Sequence, residues 1–200
     1  TTPEDQAAFK RLLGDGSDLV VTTGSGAGDI GVVAITGNSV EDVTLSAGTG
    51  NVTVGVIGAL AAQINDVTLS GTTINLGGNI NTDNDGTDLG DVDINGNVIL
   101  TAAVTIDTSD AGGAVDGTFD ISGTVDGAFD LDIITDSAIA GIVGVIGGTT
   151  ALATLDINKT AGATGAVTIS NNIGTTTAAG VTGATLIGNA NTSILTLAGT

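Results

Sequence analysis

The run Asn81-Thr82-Asp83-Asn84-Asp85-Gly86-Thr87-Asp88 places oxygen-bearing side chains at alternate positions around a glycine. On a tight loop such side chains converge, and the glycine permits the turn, so Asn81, Asp83, Asp85 and Asp88 are candidate ligands for a calcium ion. The match to a helix-flanked calcium loop is partial. Val92 stands at the twelfth position, where a bidentate Glu is wanted, leaving Asp88, Asp91 or Asp93 to close the shell in another loop geometry. The same residues also make an ordinary solvated corner, since Asn and Asp favour turns without any ion.

A second acidic group comprises Asp116, Asp120, Asp126, Asp130, Asp132 and Asp136. If Asp120 and Asp130 lie on adjacent coils, their charges repel unless a cation or a stagger intervenes. Paired carboxylates can hydrolyse glycosides, but saccharide clefts of that kind draw on aromatic and basic residues. This chain has 3 Phe, no Trp or Tyr, and 3 Lys and Arg together. General acid–base and nucleophilic schemes draw mostly on His, Cys, Lys or Tyr, of which only Lys10 and Lys159 are present. Without His or Cys, tetrahedral zinc and copper or iron sites are excluded, and hard oxygen-ligated cations are what remains. The expectation is a protein that is not an enzyme.

Two further patterns are weaker. Thr73, Thr105, Thr168 and Thr196 fit an outward threonine face of the ice-binding kind, although threonine is also the usual solvent-side residue of a strand. Gly24-Ser25-Gly26-Ala27-Gly28 is glycine-rich like a phosphate loop, yet no Lys follows it and no helix is signalled there.

The formal charge of −19, from 22 acidic and 3 basic residues, repels phosphate backbones and anionic lipid, which argues against nucleic-acid partners. The longest apolar stretch, Ala138 to Ile146, is interrupted by Gly141 and Gly144 and is far short of the roughly 20 residues of a spanning helix. Membrane insertion is therefore not expected. A chain that starts Thr1-Thr2-Pro3 and lacks Met predicts a lost leader or excision from a longer polypeptide, and either suits export.

The elements that must position these residues divide at about Gly14. Over residues 1–14, Thr2 as N-cap, Pro3 at the first helical position, Glu4 and Asp5 at one end, Lys10 and Arg11 at the other and Gly14 beyond predict a short helix. Its apolar residues Ala8, Phe9, Leu12 and Leu13 share a face, so it either caps the neighbouring stack or plugs into another subunit.

Residues 15–200 form the β-repeat domain. Apolar–polar–apolar triads recur, among them Val33-Ala34-Ile35, Val43-Thr44-Leu45, Val52-Thr53-Val54, Val67-Thr68-Leu69, Val92-Asp93-Ile94, Val104-Thr105-Ile106, Leu155-Asp156-Ile157 and Leu195-Thr196-Leu197. Period-two alternation with β-branched residues marks short strands buried on one face, separated by Gly, Asn, Asp and Ser corners. Val115-Asp116-Gly117-Thr118-Phe119-Asp120-Ile121 returns ten residues later as Val125-Asp126-Gly127-Ala128-Phe129-Asp130-Leu131. Such self-similarity predicts an all-β parallel β-solenoid, with two or three triads per coil and a rod of about 30–40 Å. An antiparallel β-sandwich is the alternative that the same turn spacing allows.

Val143-Gly144-Val145-Ile146-Gly147-Gly148-Thr149-Thr150-Ala151-Leu152-Ala153-Thr154-Leu155, followed by Gly162-Ala163-Thr164-Gly165-Ala166-Val167-Thr168-Ile169, resembles the repeats of large filamentous-haemagglutinin-type exoproteins and related bacterial surface adhesins. The likeness runs from about Gly37 to Thr200. It implies a parallel β-helix, secretion to the cell surface, and an adhesive or structural role with cell-surface or glycan ligands. The family's secretion domain is absent, and the predicted helix is not part of its pattern.

Together these readings predict an extracellular structural subunit or segment of a filament, sheath or surface layer, self-associating into a homopolymer. A monomeric adhesin stalk or ligand-binding module is the rival, and a carboxylate-based polysaccharide hydrolase the third.

Overall fold

In the computed structural model the chain is an all-β parallel solenoid of about seven turns, described over residues 8–12 (backbone only), 16–37, 40–59, 62–82, 89–109 and 116–199. At about 4.8 Å per turn this is a rod roughly 34 Å long. Every strand pairing among the described residues is parallel, which excludes the antiparallel sandwich.

Each coil has three faces. Face A stacks β2 (Leu19–Thr22), β4 (Val43–Ser46), the first halves of β6 (Val67–Leu76) and β8 (Val92–Leu100), then β10 (Phe119–Ile121), β13 (Ala140–Ile142), β15 (Val167–Ile169) and β17 (Leu195–Leu197). Face B stacks β1 (Ala8–Leu12), β3 (Ile30–Thr36), β5 (Asn51–Ile57), the second halves of β6 and β8, and β11 (Val125–Asp126). Face C stacks β7 (Ile80–Asn81), β9 (Val104–Asp107), β12 (Leu131–Ile134), β14 (Leu155–Ile157) and β16 (Thr185–Ile187).

Alternation decides which side chains fill the interior. Ile57, Ile80, Ile106, Ile133 and Ile157 form one rung-on-rung column, all buried, and Val43, Val67, Val92 and Phe119 form another. The triads fail where a strand bends between faces. Val33, expected inside, is 64% exposed, because β3 turns from face B to face C between Val32 and Ile35, and two neighbouring positions there cannot both point inward.

Within the segment 1–14, where a helix is expected, the described residues are not helical. Ala8–Leu12 is strand β1, in parallel register with β3, and the rest of that segment lies outside the described residues. Phe9 takes the rung of Val32, so Ala8, Phe9 and Leu12 continue a ladder, where a neighbouring strand outweighs local capping signals.

The ten-residue sequence repeat also has a different meaning from the one expected. Asp120 lies on face A, whereas Asp130 precedes face C of the same coil, so these two residues are not stacked. Ten residues carry the chain from face A past face B to face C, while the step between coils along face A is the longer interval from Val43 to Val67 or from Val92 to Phe119.

Candidate functional site

The corner leading from face C to the next face A is built from connections of 5 to 11 residues. Its connections occupy residues 37–42, 58–66, 82–91, 108–118, 135–139, 158–166 and 188–194. In stacked repeats the corner that tolerates insertions is the usual place for binding.

The corner is anchored by a column of buried polar groups. Thr82 Oγ donates to Gly90 O at 2.5 Å and Thr108 Oγ to Gly117 O at 2.5 Å, so each hydroxyl ties the end of face C to the start of the next face A. Thr135 Oγ donates to Ala138 O at 2.9 Å and accepts Asn158 Nδ2 at 2.9 Å, while Asn158 Oδ1 accepts the Thr135 N–H at 2.8 Å. Each hydroxyl or amide meets a partner that burial would otherwise deny it.

The candidate calcium loop springs from this corner. Asn81 lies on β7 directly before Thr82, but Asp83, Asp85 and Asp88 lie outside the described residues. Among the described residues no three acidic groups converge closely enough to hold a metal ion. Asp116, also at this corner, is buried and accepts both the N–H (2.9 Å) and the hydroxyl of Ser137. Asp136 beside it adopts a left-handed φ of 44°, and burial, then the charges of Asp116 and Asp107, raises its carboxyl pKa above the ordinary range. Glu41, also buried here, accepts the Gly16 N–H at 3.2 Å.

A second acidic column was missed in the sequence, although Asp42-Val43-Thr44-Leu45-Ser46 and Asp66-Val67-Thr68-Leu69-Ser70 display it. Asp18, Asp42, Asp66 and Asp91 each stand one residue before face A. The Oδ1 of each accepts an N–H from the next coil: Asp42 at 3.1 Å, Asp66 at 3.3 Å, Asp91 at 2.8 Å and Thr118 at 2.7 Å. These carboxylates join successive coils, which explains acidic residues at a fixed position without any ligand.

On the flat faces the remaining candidates separate. Asp120 stacks on Asp93 and Gly141. Desolvation, then the neighbouring Asp93 charge, raises its pKa, opposed by a backbone hydrogen bond at Ile121. On face C the like-charged pair Asp132 and Asp156 is bridged by Lys159, whose Nζ lies 3.2 Å from Asp132 and bonds Asp156, raising the lysine pKa. Lys159 pairs with Asp132 and Asp156 and does not reach Asp93 or Asp120.

A carboxyl whose folded pKa is raised weakens the folded state once it ionises. That penalty is fully present above the folded pKa and is relieved as pH falls through it toward the unfolded value. Asp120→Asn should therefore stabilise the protein at pH 7, by a few tenths of a kcal/mol up to about 1 kcal/mol for a cross-strand like-charge pair. Thermal melts of both forms should converge near pH 3, and a destabilised variant at pH 7 would contradict this account.

The threonines do not make one surface. Thr168 and Thr196 stack on face A, where Asp93 and Asp120 interrupt the row, while Thr73 is on face B and Thr105 on face C. Comparison of the chain with protein-family models, curated proteins and solved structures finds no match.

Proposed function

We propose that this chain is a non-enzymatic extracellular structural protein, a subunit or segment of a bacterial surface filament, sheath or surface layer. One observation carries the reading: the described residues form one parallel stack in which the same backbone ladders, and one carboxylate per coil over its first turns, recur from turn to turn, the architecture of an extended structural repeat. Secretion and surface attachment are what the resemblance to filamentous-haemagglutinin-type repeats implies, and the lack of His, Cys and Tyr agrees with a structural role.

Negative-stain electron microscopy of the purified chain, with calcium and with chelator, tests the reading. Regular filaments or sheets are the expected result, and their dispersal by chelator would place cations at the contacts between acidic walls. Uniform particles about 34 Å long in both conditions would sink it.

The rival reading, a monomeric adhesin stalk or ligand-binding module, draws on a groove of about 500 Å³ on face B, where Thr73, Asn97, Ile99, Thr124, Asp126 and Thr149 present hydroxyl, amide and carboxylate groups beside an exposed aliphatic side chain. Dispersed particles that bind immobilised glycans would favour it.

A further inference from the structure

We propose that the groove on face B is a binding site for a neutral saccharide; this deepens the ligand-binding reading above and holds whether or not copies assemble. The groove opens where the flat wall is interrupted. Strands β3, β5, β6 and β8 run unbroken across this face, whereas β11 has only 2 residues and is followed by Gly127 at a φ of 130°. In the next coil, residues 147–151 form no strand. The recess left between them, about 500 Å³, falls in the range of small-ligand sites, roughly 300–1,000 Å³.

Its polar side chains are fixed through one atom and offer another. Asp126 Oδ1 accepts the N–H groups of Thr149 at 2.7 Å and Thr150 at 2.9 Å, while Oδ2 takes no hydrogen bond among the described residues. Asn97 Oδ1 accepts the Thr124 N–H at 3.1 Å, which leaves Nδ2 as a donor. The hydroxyls of Thr73, Thr124, Thr149 and Thr150 make no hydrogen bond among the described residues either. Thr73, Asn97 and Thr124 follow one another along the rod, and Ile99 and Asp126 form a second column beside them, with about 4.8 Å from coil to coil. Ile99, 41% exposed, sets an apolar contact among these groups. A sugar ring has the matching halves, hydroxyls around its rim and a C–H face for the aliphatic side chain.

The same residues exclude other ligands. Asp126 is the one carboxylate lining the groove, so it neither completes a hard-cation shell nor supplies the pair that glycoside hydrolysis needs. No basic side chain lines it, and a chain of formal charge −19 repels phosphate, sulfate and uronate groups. An extended peptide binds by adding to an open sheet edge, but β8 is already paired on both edges, with β6 on one side and β11 on the other. A wholly apolar ligand would take water from Asp126 and Asn97 and give no hydrogen bond in return. A neutral polyhydroxylated ligand meets all of these conditions.

Isothermal titration calorimetry of the full chain with neutral hexasaccharides of glucose, mannose and N-acetylglucosamine, set against hexagalacturonate, tests the site. At least one neutral oligomer should bind with a Kd of about 1 mM or tighter, and hexagalacturonate should not. Asp126→Asn should weaken that binding about tenfold, because a ligand hydroxyl loses its charged acceptor. The amide oxygen of the variant can still accept from Thr149 and Thr150, and circular dichroism confirms that the fold is intact. Thr105→Ala, on face C, should leave the affinity unchanged. Equal affinity in Asp126→Asn would place the ligand elsewhere, overturning this groove but not the ligand-binding reading. Hexagalacturonate binding as tightly as the neutral oligomers would overturn the choice of a neutral ligand. No binding of any neutral oligomer at about 10 mM would overturn both the groove and the ligand-binding reading and leave the filament reading standing.

Discussion

Gly123→Ala should cost the protein about 3 kcal/mol or more, the upper end of overpacking effects, because the added methyl has nowhere to go. A Cβ at Gly123 would sit 2.1 Å from Gly96 O, 2.5 Å from Gly96 C and 2.8 Å from Asn97 N, all backbone atoms of the preceding coil. The same collision repeats along the A-to-B corner. A Cβ at Gly96 meets Gly71 O at 2.2 Å, and one at Gly144 meets Gly123 O at 2.1 Å. These glycines form a column in which each backbone lies directly on the carbonyl of the one below. Relief would require the coils to separate, stretching the hydrogen bonds from Ser122 N to Ile94 O (3.0 Å) and from Val98 N to Thr124 O (2.7 Å). Gly26→Ala is the control: its Cβ meets nothing within 4 Å, so it should change stability by no more than about 0.5 kcal/mol. Urea denaturation of the two variants checks the contrast, and equal midpoints would refute the close-approach account.

Ile106→Ala should lose about 2–5 kcal/mol, the range for emptying a fully buried branched aliphatic site. Ile106 is completely buried in the face C column, between Ile80 and Ile133. Neither neighbour can slide into the void, because each is pinned in register by its own ladder. In a stack where each coil touches only its neighbours, the loss falls on two interfaces in the middle of the rod. Hydrogen exchange should therefore accelerate most on β7, β9 and β12, and unfolding should broaden or split into two transitions. Uniform acceleration from β3 to β15 would show that the rod behaves as a single cooperative unit.

Much of this architecture was legible along the chain. The alternation in Val43-Thr44-Leu45 and Val67-Thr68-Leu69 gave inward and outward positions correctly, because side-chain direction in a strand follows from backbone geometry alone. The bends within β3 and β5 were not legible: Val33 and Val56 have the residue types of core positions, and only the turn from face B to face C points them outward. Ala8–Leu12 departs from the expected helix for a related reason. Its caps and charges are local helix signals, while β3 supplies a neighbouring edge for Ala8–Leu12 from more than twenty residues away.

The candidate site divided along the same line. Asn81, Asp83, Asp85 and Asp88 are candidates from spacing alone, a property of a single loop. The column of Asp18, Asp42, Asp66 and Asp91 uses one carboxylate per coil, and its purpose is visible only when the coils are stacked and each Oδ1 meets the next N–H. Asp120 and Asp130 looked like partners because they are ten residues apart, but a coil takes more than twenty residues, so Asp120 faces Asp93.

The sequence by itself determined that strands are short, aliphatic and alternating, that corners are glycine- and Asx-rich, that the chain is strongly acidic, and that it lacks the side chains of most catalytic chemistry; each is a property of composition or of neighbours within a few residues. Tertiary structure alone decided how many strands complete a coil, which acidic residues stack and which glycines cannot bear a methyl group, because all of these depend on what the chain places about 4.8 Å away after a full turn.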